Sequence, residues 1–320
     1  MTKPEILVRA PFMPYVLDQI DAAFDVRKSY LADDPEAFID EVAPNISGLA
    51  GWGGVVDRAL IDRLPNLEII ANFGVGYDGV DAKYAASRGI VVTNTPDVLT
   101  EEVADIALAL LIMAARELTA AERHLRAGNW EKDGDYPLTT GTLRGRTVGI
   151  AGMGRIGKAV ARRIEALGLK LAYFGRTRQA GISYPFYDNL AAMAADVDTI
   201  VAVLPGGEAT RHLFNEEVFK ALGPTGIFVN IGRGTSVDEV AMVRALESGA
   251  ILNAGLDVYE DEPSVPAELV AMNKVVLLPH VASASVHTRN AMGQLVVDNF
   301  KSWFETGKAL TPVPETPNPA

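Results

Sequence analysis

The stretch Thr147-Val148-Gly149-Ile150-Ala151-Gly152-Met153-Gly154-Arg155-Ile156-Gly157 decides the fold. Its first five residues form a short apolar run of strand character, and its three glycines then follow in the spacing G-x-G-x-x-G. Residues 158–167 carry the periodicity of an amphipathic helix, Gly168 closes it, and residues 169–174 read as a second strand. Three glycines at that spacing arise by chance in many chains, so the β-turn-α-β frame around them is what marks a dinucleotide-binding fold. The glycines have separate tasks. Gly152 permits the tight turn out of the strand, Gly154 lets backbone approach a pyrophosphate, and Gly157 lets helix and sheet pack closely. Met153, Arg155 and Ile156 between them lie along the same diphosphate, which rests on the free N–H groups of the helix N-terminus.

About 20 positions after the fingerprint, such folds place an acid that accepts hydrogen bonds from the adenine ribose and repels a 2′-phosphate. Here that strand end carries Gly175, followed by Arg176, Thr177 and Arg178. Two cations and a hydroxyl suit a 2′-phosphate, so the expected cofactor is NADP(H), preferred over NAD(H). The competing reading is a surface loop with two solvated arginines.

Composition limits the remaining possibilities. With 320 residues, 48% of them hydrophobic, the chain is long enough for two domains, each with its own core. The most apolar stretch, 103–115, contains Asp105 and is too short for a bilayer, which predicts a buried helix. The first residues run from Met1 into Ile6-Leu7-Val8 without the pattern of a signal peptide, and the expected location is cytoplasmic. The absence of Cys excludes thiol catalysis, disulfides and Cys-ligated zinc. A net charge of −12 argues against nucleic-acid and membrane-surface partners, so any anionic ligand must be held by local cations.

Residues 1–98 alternate short strands and helices with no phosphate loop of their own, the pattern of a flavodoxin-like α/β domain. Thr100-Glu101-Glu102-Val103 resembles a capping box opening one long apolar helix to about residue 126. A second α/β domain over 99–285 contains the fingerprint, with continuous apolar strands at 199–204, 227–231, 253–258 and 275–278. An amphipathic helix at 291–305 returns to the first domain, which is therefore discontinuous, 1–98 plus 286–320, with a cleft between the two doubly wound sheets. Residues 311–320 hold four Pro in ten and are expected to be extended or disordered.

Three segments fall at strand ends, where open α/β sheets bind ligands: Asn230-Ile231-Gly232-Arg233-Gly234, Gly255-Leu256-Asp257-Val258-Tyr259-Glu260-Asp261-Glu262-Pro263 and Leu278-Pro279-His280-Val281-Ala282-Ser283. One Arg, one carboxylate and one His thus converge. Taken singly, His280 also reads as a buried structural histidine, Arg233 as a loop residue and Glu262 as part of a solvated charge run. Together, and over almost the whole length, they resemble the D-isomer-specific 2-hydroxyacid dehydrogenase family. Asn94-Thr95-Pro96-Asp97-Val98-Leu99-Thr100 and Asn72-Phe73-Gly74-Val75-Gly76 are most similar to its NADPH-preferring glyoxylate/hydroxypyruvate reductase branch.

The resemblance implies reduction of a small 2-keto acid to the 2-hydroxy acid, in the D-form where chiral. It implies that His280 is the general acid, that Glu262 orients its imidazole and that Arg233 polarises the carbonyl and clamps the substrate carboxylate. It places Val75 and Gly76 as backbone donors to that carboxylate, with Ser283 and Trp52 also lining the substrate. It sets Val203, Leu204 and Pro205 along the adenine, Ile231 behind the nicotinamide, and Asp257 and Thr100 near the nicotinamide end. His124, His212 and His287 have no ligand-like neighbours, and no metal is expected. Residues 128–142, with Trp130, correspond to an arm that embraces a second subunit, which implies a homodimer. Trp52 departs from the small or polar residue of the reductase branch and bears on substrate size. The rivals are an NAD-dependent D-2-hydroxyacid or phosphoglycerate-type dehydrogenase and, in another class, a dinucleotide-sensing corepressor-like binding protein.

Overall fold

Short β-branched and aliphatic runs, each followed by a helix, leave the chain few options but parallel sheets covered on both faces. The computed structural model describes residues 3–51 and 54–319. It divides into two compact units, Met1–Leu99 with Ala284–Ala320, and Thr100–Ser283.

The first unit holds β1 (Glu5–Val8), β2 (Asp25–Lys28), β3 (Ile46–Gly51), β4 (Ile69–Asn72) and β5 (Val91–Thr93), all parallel, in the order β2-β1-β3-β4-β5. This is the flavodoxin-like wiring expected from the sequence. One face of the sheet packs on Ile39, Leu60, Ile61 and Leu64, the other on Val16, Ile20, Val296, Val297 and Phe300. The last three belong to the long helix Val286–Thr306, which begins five residues before the periodicity predicts. Its Gly293 is required by packing, because a Cβ there would lie 2.1 Å from Val16.

The Pro-rich segment is extended, as expected, and it is also ordered. Pro312 bridges Thr93 antiparallel, and the Val313 N–H donates to Val92 O at 2.9 Å. The Val92 N–H in turn donates to Thr316 Oγ1 at 2.9 Å, and Val313 and Thr316 are buried. Pro lacks an N–H, yet an edge strand needs donors on one side only, so a Pro-rich segment can cover the open edge of β5.

The second unit holds β6 (Thr147–Ala151), β7 (Lys170–Phe174), β8 (Phe186–Tyr187), β9 (Thr199–Ala202), β10 (Ile227–Asn230), β11 (Asn253–Leu256) and β12 (Val276–Leu277). They form one parallel sheet in the order β12-β11-β10-β9-β6-β7-β8. β9, β11 and β12 stop one or two residues before the apolar runs do, so the residues just after each strand stay apolar while leaving the ladder. β8 and the helix Leu190–Asp196 carry no strong periodicity and were not apparent in the sequence.

Two local expectations are corrected. The long apolar helix is two helices, Thr100–Arg116 and Leu118–Arg126, broken at Glu117, whose φ is 51°. Glu117 is buried, its carboxylate accepts the Tyr136 hydroxyl at 2.9 Å and pairs with Lys274 at 3.2 Å, and these tertiary partners hold a backbone conformation that a helix excludes. Thr100 is the first helical residue and not a cap: its Oγ1 is buried with no hydrogen-bond partner among the described residues. Glu101 pairs outward with Arg162 and Arg163. No described helix is long and apolar enough to cross a membrane.

Candidate active site

β6 lies in the sheet between β7 and β9, where the order of connection reverses, and the fingerprint emerges from its carboxyl end. Gly152 adopts φ 102°, and a Cβ on it would lie 2.8 Å from Val203 O. Gly157 is in the first turn of the helix Arg155–Ala166, and a Cβ there would stand 2.1 Å from Gly152 O. A Cβ on Gly154 would meet nothing within 4 Å, and Gly154 caps the helix without a side-chain hydrogen bond. The helix therefore keeps its N-terminal N–H groups available beside an open backbone, which fits a diphosphate. Met153 is buried beneath this turn; Arg155 is exposed and Ile156 half-buried.

β7 pairs in register with β6, Ala151 opposite Phe174, so residues 175–178 leave the sheet next to the cradle. Gln179 fixes that loop: its Nε2 donates to Met153 O at 2.8 Å and its N–H to the Tyr173 hydroxyl oxygen at 2.9 Å. Nothing in the sequence pattern marked Gln179. Arg176, Thr177 and Arg178 are exposed, and neither arginine has a carboxylate partner among the described residues. In a chain where acids outnumber Lys and Arg by 41 to 29, two arginines so close together with no carboxylate partner among the described residues stand out. A Cβ on Gly175 would meet only Thr177 O at 3.8 Å, so an acid would fit there sterically. This strand end is basic by chemistry, not because a Cβ lacked room.

The three catalytic segments predicted from the sequence come together at the other half of the same sheet. His280 Nδ1 lies 2.7 Å from Glu262 Oε2, with the imidazole and carboxylate side chains 47% and 33% exposed. Glu262 Oε1 accepts the Tyr259 N–H at 3.1 Å. Burial alone would raise the Glu262 pKa. The His280 hydrogen bond and charge, the Tyr259 N–H and the nearby Arg233 charge outweigh it, and the carboxyl lies below its ordinary value. Glu262 thereby fixes Nδ1 as the protonated nitrogen and leaves Nε2 to exchange a proton.

Backbone contacts lock these segments to each other. His280 has φ 52°, its N–H donates to Asp257 O at 2.8 Å, and the next two N–H groups, of Val281 and Ala282, donate to the Asp257 carboxylate at 2.8 and 2.9 Å. Asp257 is 1% exposed, and both its oxygens hold the loop that carries His280. Burial raises its pKa, against the two N–H donors and the His280 charge. A Cβ on Gly234 would lie 1.7 Å from the Tyr259 carbonyl carbon, so the Arg233 and Glu262 loops touch backbone to backbone. Asn230 was missed in the sequence: it is buried, its Nδ2 donates to Arg233 O at 3.0 Å and its Oδ1 accepts the Gly232 N–H at 3.0 Å. An Asn two residues before a Gly at a buried strand end was the available signal.

Of the other expected contacts, Val203, Leu204 and Pro205 follow β9, Ile231 follows β10 and is buried, Ser283 is half-buried three residues after His280, and Thr100 offers the orphan hydroxyl described above. Trp52 lies outside the described residues. Val75 and Gly76 stand in the first unit, in the loop after β4. Three consecutive carbonyls of that loop face protein donors. Asn72 Nδ2 takes Gly74 O at 3.2 Å and Gly76 O at 3.1 Å, the Thr95 N–H takes Gly74 O at 2.9 Å, and Asn94 Nδ2 takes Val75 O at 2.9 Å. The Val75 and Gly76 N–H groups have no partner among the described residues and remain available as donors.

Residues 108–282 match the model of the D-isomer specific 2-hydroxyacid dehydrogenase NAD binding domain. The chain is 40% identical over 309 residues to a glyoxylate/hydroxypyruvate reductase A of Arabidopsis thaliana, covering 96% of this chain and 98% of the relative. It is 41% identical over 309 residues to hydroxyphenylpyruvate reductase of Plectranthus scutellarioides, with the same coverage. Among solved structures, the NADPH-dependent glyoxylate/hydroxypyruvate reductase of Sinorhizobium meliloti, in complex with NADP and malonate, is 50% identical with a TM-score of 0.93, covering 100% of this chain and 99% of that one. By this match and at these identities over nearly its whole length, the chain belongs to the D-isomer specific 2-hydroxyacid dehydrogenase family.

Proposed function

We propose that this protein is an NADPH-dependent reductase of small 2-keto acids, glyoxylate and hydroxypyruvate foremost, yielding the D-2-hydroxy acid where the product is chiral. The observation that carries this reading is the Glu262–His280 pair beside Arg233, on the same sheet as a phosphate cradle flanked by unpaired arginines. The residues fit the cofactor: open backbone at Gly154, with Gly152 and Gly157 keeping the turn tight, for the diphosphate, Arg176, Thr177 and Arg178 for the 2′-phosphate, the Thr100 hydroxyl and Ile231 toward the nicotinamide. When bound, NADPH supplies the hydride to the keto carbon. His280 Nε2 gives the proton to the carbonyl oxygen. Glu262 holds the other ring nitrogen and so keeps the imidazole oriented. Arg233 draws electron density toward the oxygen and pairs with the substrate carboxylate. In the first unit, the Val75 and Gly76 amides are the proposed carboxylate donors.

The test follows NADPH absorbance with glyoxylate, hydroxypyruvate, pyruvate and phenylpyruvate, then repeats the series with NADH. Turnover of the first two with NADPH is expected. NADPH binding without turnover of any 2-keto acid would replace the enzyme by a dinucleotide-sensing protein.

A homodimer is part of the same proposal. Leu118, Leu125, Trp130 and Leu138 are exposed at 42, 55, 60 and 98% on the arm and the helix leading into it, apolar area that a partner subunit would remove from water. Sedimentation should give a dimer that Leu138→Asp weakens. A reducing, cytoplasmic setting is the one this reading implies.

A further inference from the structure

The Pro-rich segment has no part in the chemistry above, yet its contacts run to the loop proposed to receive the substrate carboxylate. Thr311 Oγ1 donates to Asn94 O at 2.6 Å, and the Asn94 N–H donates to Thr311 O at 3.2 Å. Asn94 is the residue whose side chain holds Val75 O. Thr311 is itself fixed by Asn299, which is fully buried: its Oδ1 accepts the Leu310 and Thr311 N–H groups, each at 3.0 Å, and its Nδ2 donates to Thr311 Oγ1 at 3.0 Å. On the other flank of the loop, the Tyr77 hydroxyl donates to Glu315 at 2.9 Å. Between these anchors, Pro312 and Val313 pair with β5, so the two contacts are set by one ordered stretch of backbone.

We infer that residues 311–316 are a strap that sets the geometry of the substrate-carboxylate loop, with Thr311 and Glu315 as positioning residues that act through Asn94 and Tyr77. The inference rests on the proposed function in one respect, that the Val75 and Gly76 amides receive the carboxylate. Two neighbouring N–H groups bind an anion well only when both point at the same place, and here the carbonyl on the far side of each peptide is held from outside the loop. Loosening either anchor leaves the loop present but its amides less well aimed, which weakens substrate binding and spares the cofactor.

The experiment compares Thr311→Val, Thr311→Ser and Tyr77→Phe with the wild-type chain, measuring KM for glyoxylate, KM for NADPH, kcat and thermal stability on each. Thr311→Val keeps the shape and loses the hydroxyl; Thr311→Ser keeps the hydroxyl. Loss of one such bond should raise KM for glyoxylate about five- to tenfold in Thr311→Val and in Tyr77→Phe, leave KM for NADPH within about twofold, and be reversed in Thr311→Ser. A fall in thermal stability with both KM values unchanged would make the segment merely structural, and a parallel rise of both KM values would do the same. If the wild-type chain reduces no 2-keto acid, the proposed function and the strap fall together; if it does and the variants keep its KM for glyoxylate, the strap alone falls.

Discussion

Arg176→Ala is the most direct test of the cofactor reading. Arg176 and Arg178 are exposed, carry no carboxylate partner among the described residues, and leave the sheet beside the cradle because β7 is in register with β6. Removing Arg176 therefore breaks no internal ion pair, and fold stability should change little. A charge-assisted hydrogen bond is worth about 1.5–3 kcal/mol, and solvent exposure puts this one near the lower end. At about 1.4 kcal/mol per factor of ten, KM for NADPH should rise roughly tenfold, while KM for NADH, which lacks the 2′-phosphate, stays within about twofold. Removing Arg178 as well should widen the gap, by less than a second factor of ten if the two arginines share one phosphate. Added salt should narrow the NADPH advantage of the wild type, since exposed charges are screened beyond about 8 Å at 0.15 M. Gly175→Asp tests the same reasoning in reverse. A side chain fits there, the nearest atom being Thr177 O at 3.8 Å, so the substitution should turn the preference toward NADH. Steady-state kinetics with both cofactors decide the matter. If Arg176→Ala raises both KM values equally, or neither, Arg176 is surface and the reading of residues 175–178 fails.

His280→Ala should lower kcat by roughly 10² or more with KM for NADPH little changed, the scale of a lost general acid; near wild-type turnover would remove His280 from the mechanism. Glu262 has a folded pKa below its ordinary value, so its pairing stabilises the fold above the unfolded glutamate pKa and that contribution is lost as pH falls through the lowered one. Glu262→Gln should therefore destabilise the protein at neutral pH and converge with the wild type in acid; equal destabilisation at both ends, read by thermal melting, would contradict the ionic account. Gly157→Ala sets about 1 kcal/mol of better helix propensity against a Cβ at 2.1 Å from a backbone oxygen that cannot rotate away. Overpacking of about 1–3 kcal/mol or more should win, lowering the melting temperature and weakening NADPH binding; a more stable variant would mean the helix and turn are less tightly apposed.

How far the sequence could be read depended on how local the determinant was. The glycine fingerprint, the doubly wound character of both sheets and the three candidate segments were legible, because apolar period and turn chemistry act over a few residues. Where a distant partner decided the outcome, the reading stopped short. The apolar periodicity over 100–126 is continuous, and only Tyr136 and Lys274, through the buried Glu117 carboxylate, show why the helix breaks there. Thr100 has the spacing of a cap, but the chain enters the helix at Thr100 itself. Asp257 sits at a strand end in a family-like position, and its carboxylate turns out to be used by two backbone N–H groups 24 and 25 residues later.

The sequence by itself determined that this chain makes two doubly wound sheets and that one of them carries a dinucleotide fingerprint followed at the next strand end by Gly175, Arg176 and Arg178, because each of these follows from residue type at short spacing. Only the tertiary structure decided how the chemistry is held. Glu262 reaches His280, Gly234 lets the Arg233 loop rest on Tyr259, and the segment 311–316 ties down the loop at Val75, each across separations that no local pattern records. Hydrogen bonds and close packing between segments far apart in the chain depend on the path of the backbone between them, and that path is fixed by the whole sheet rather than by the residues that meet.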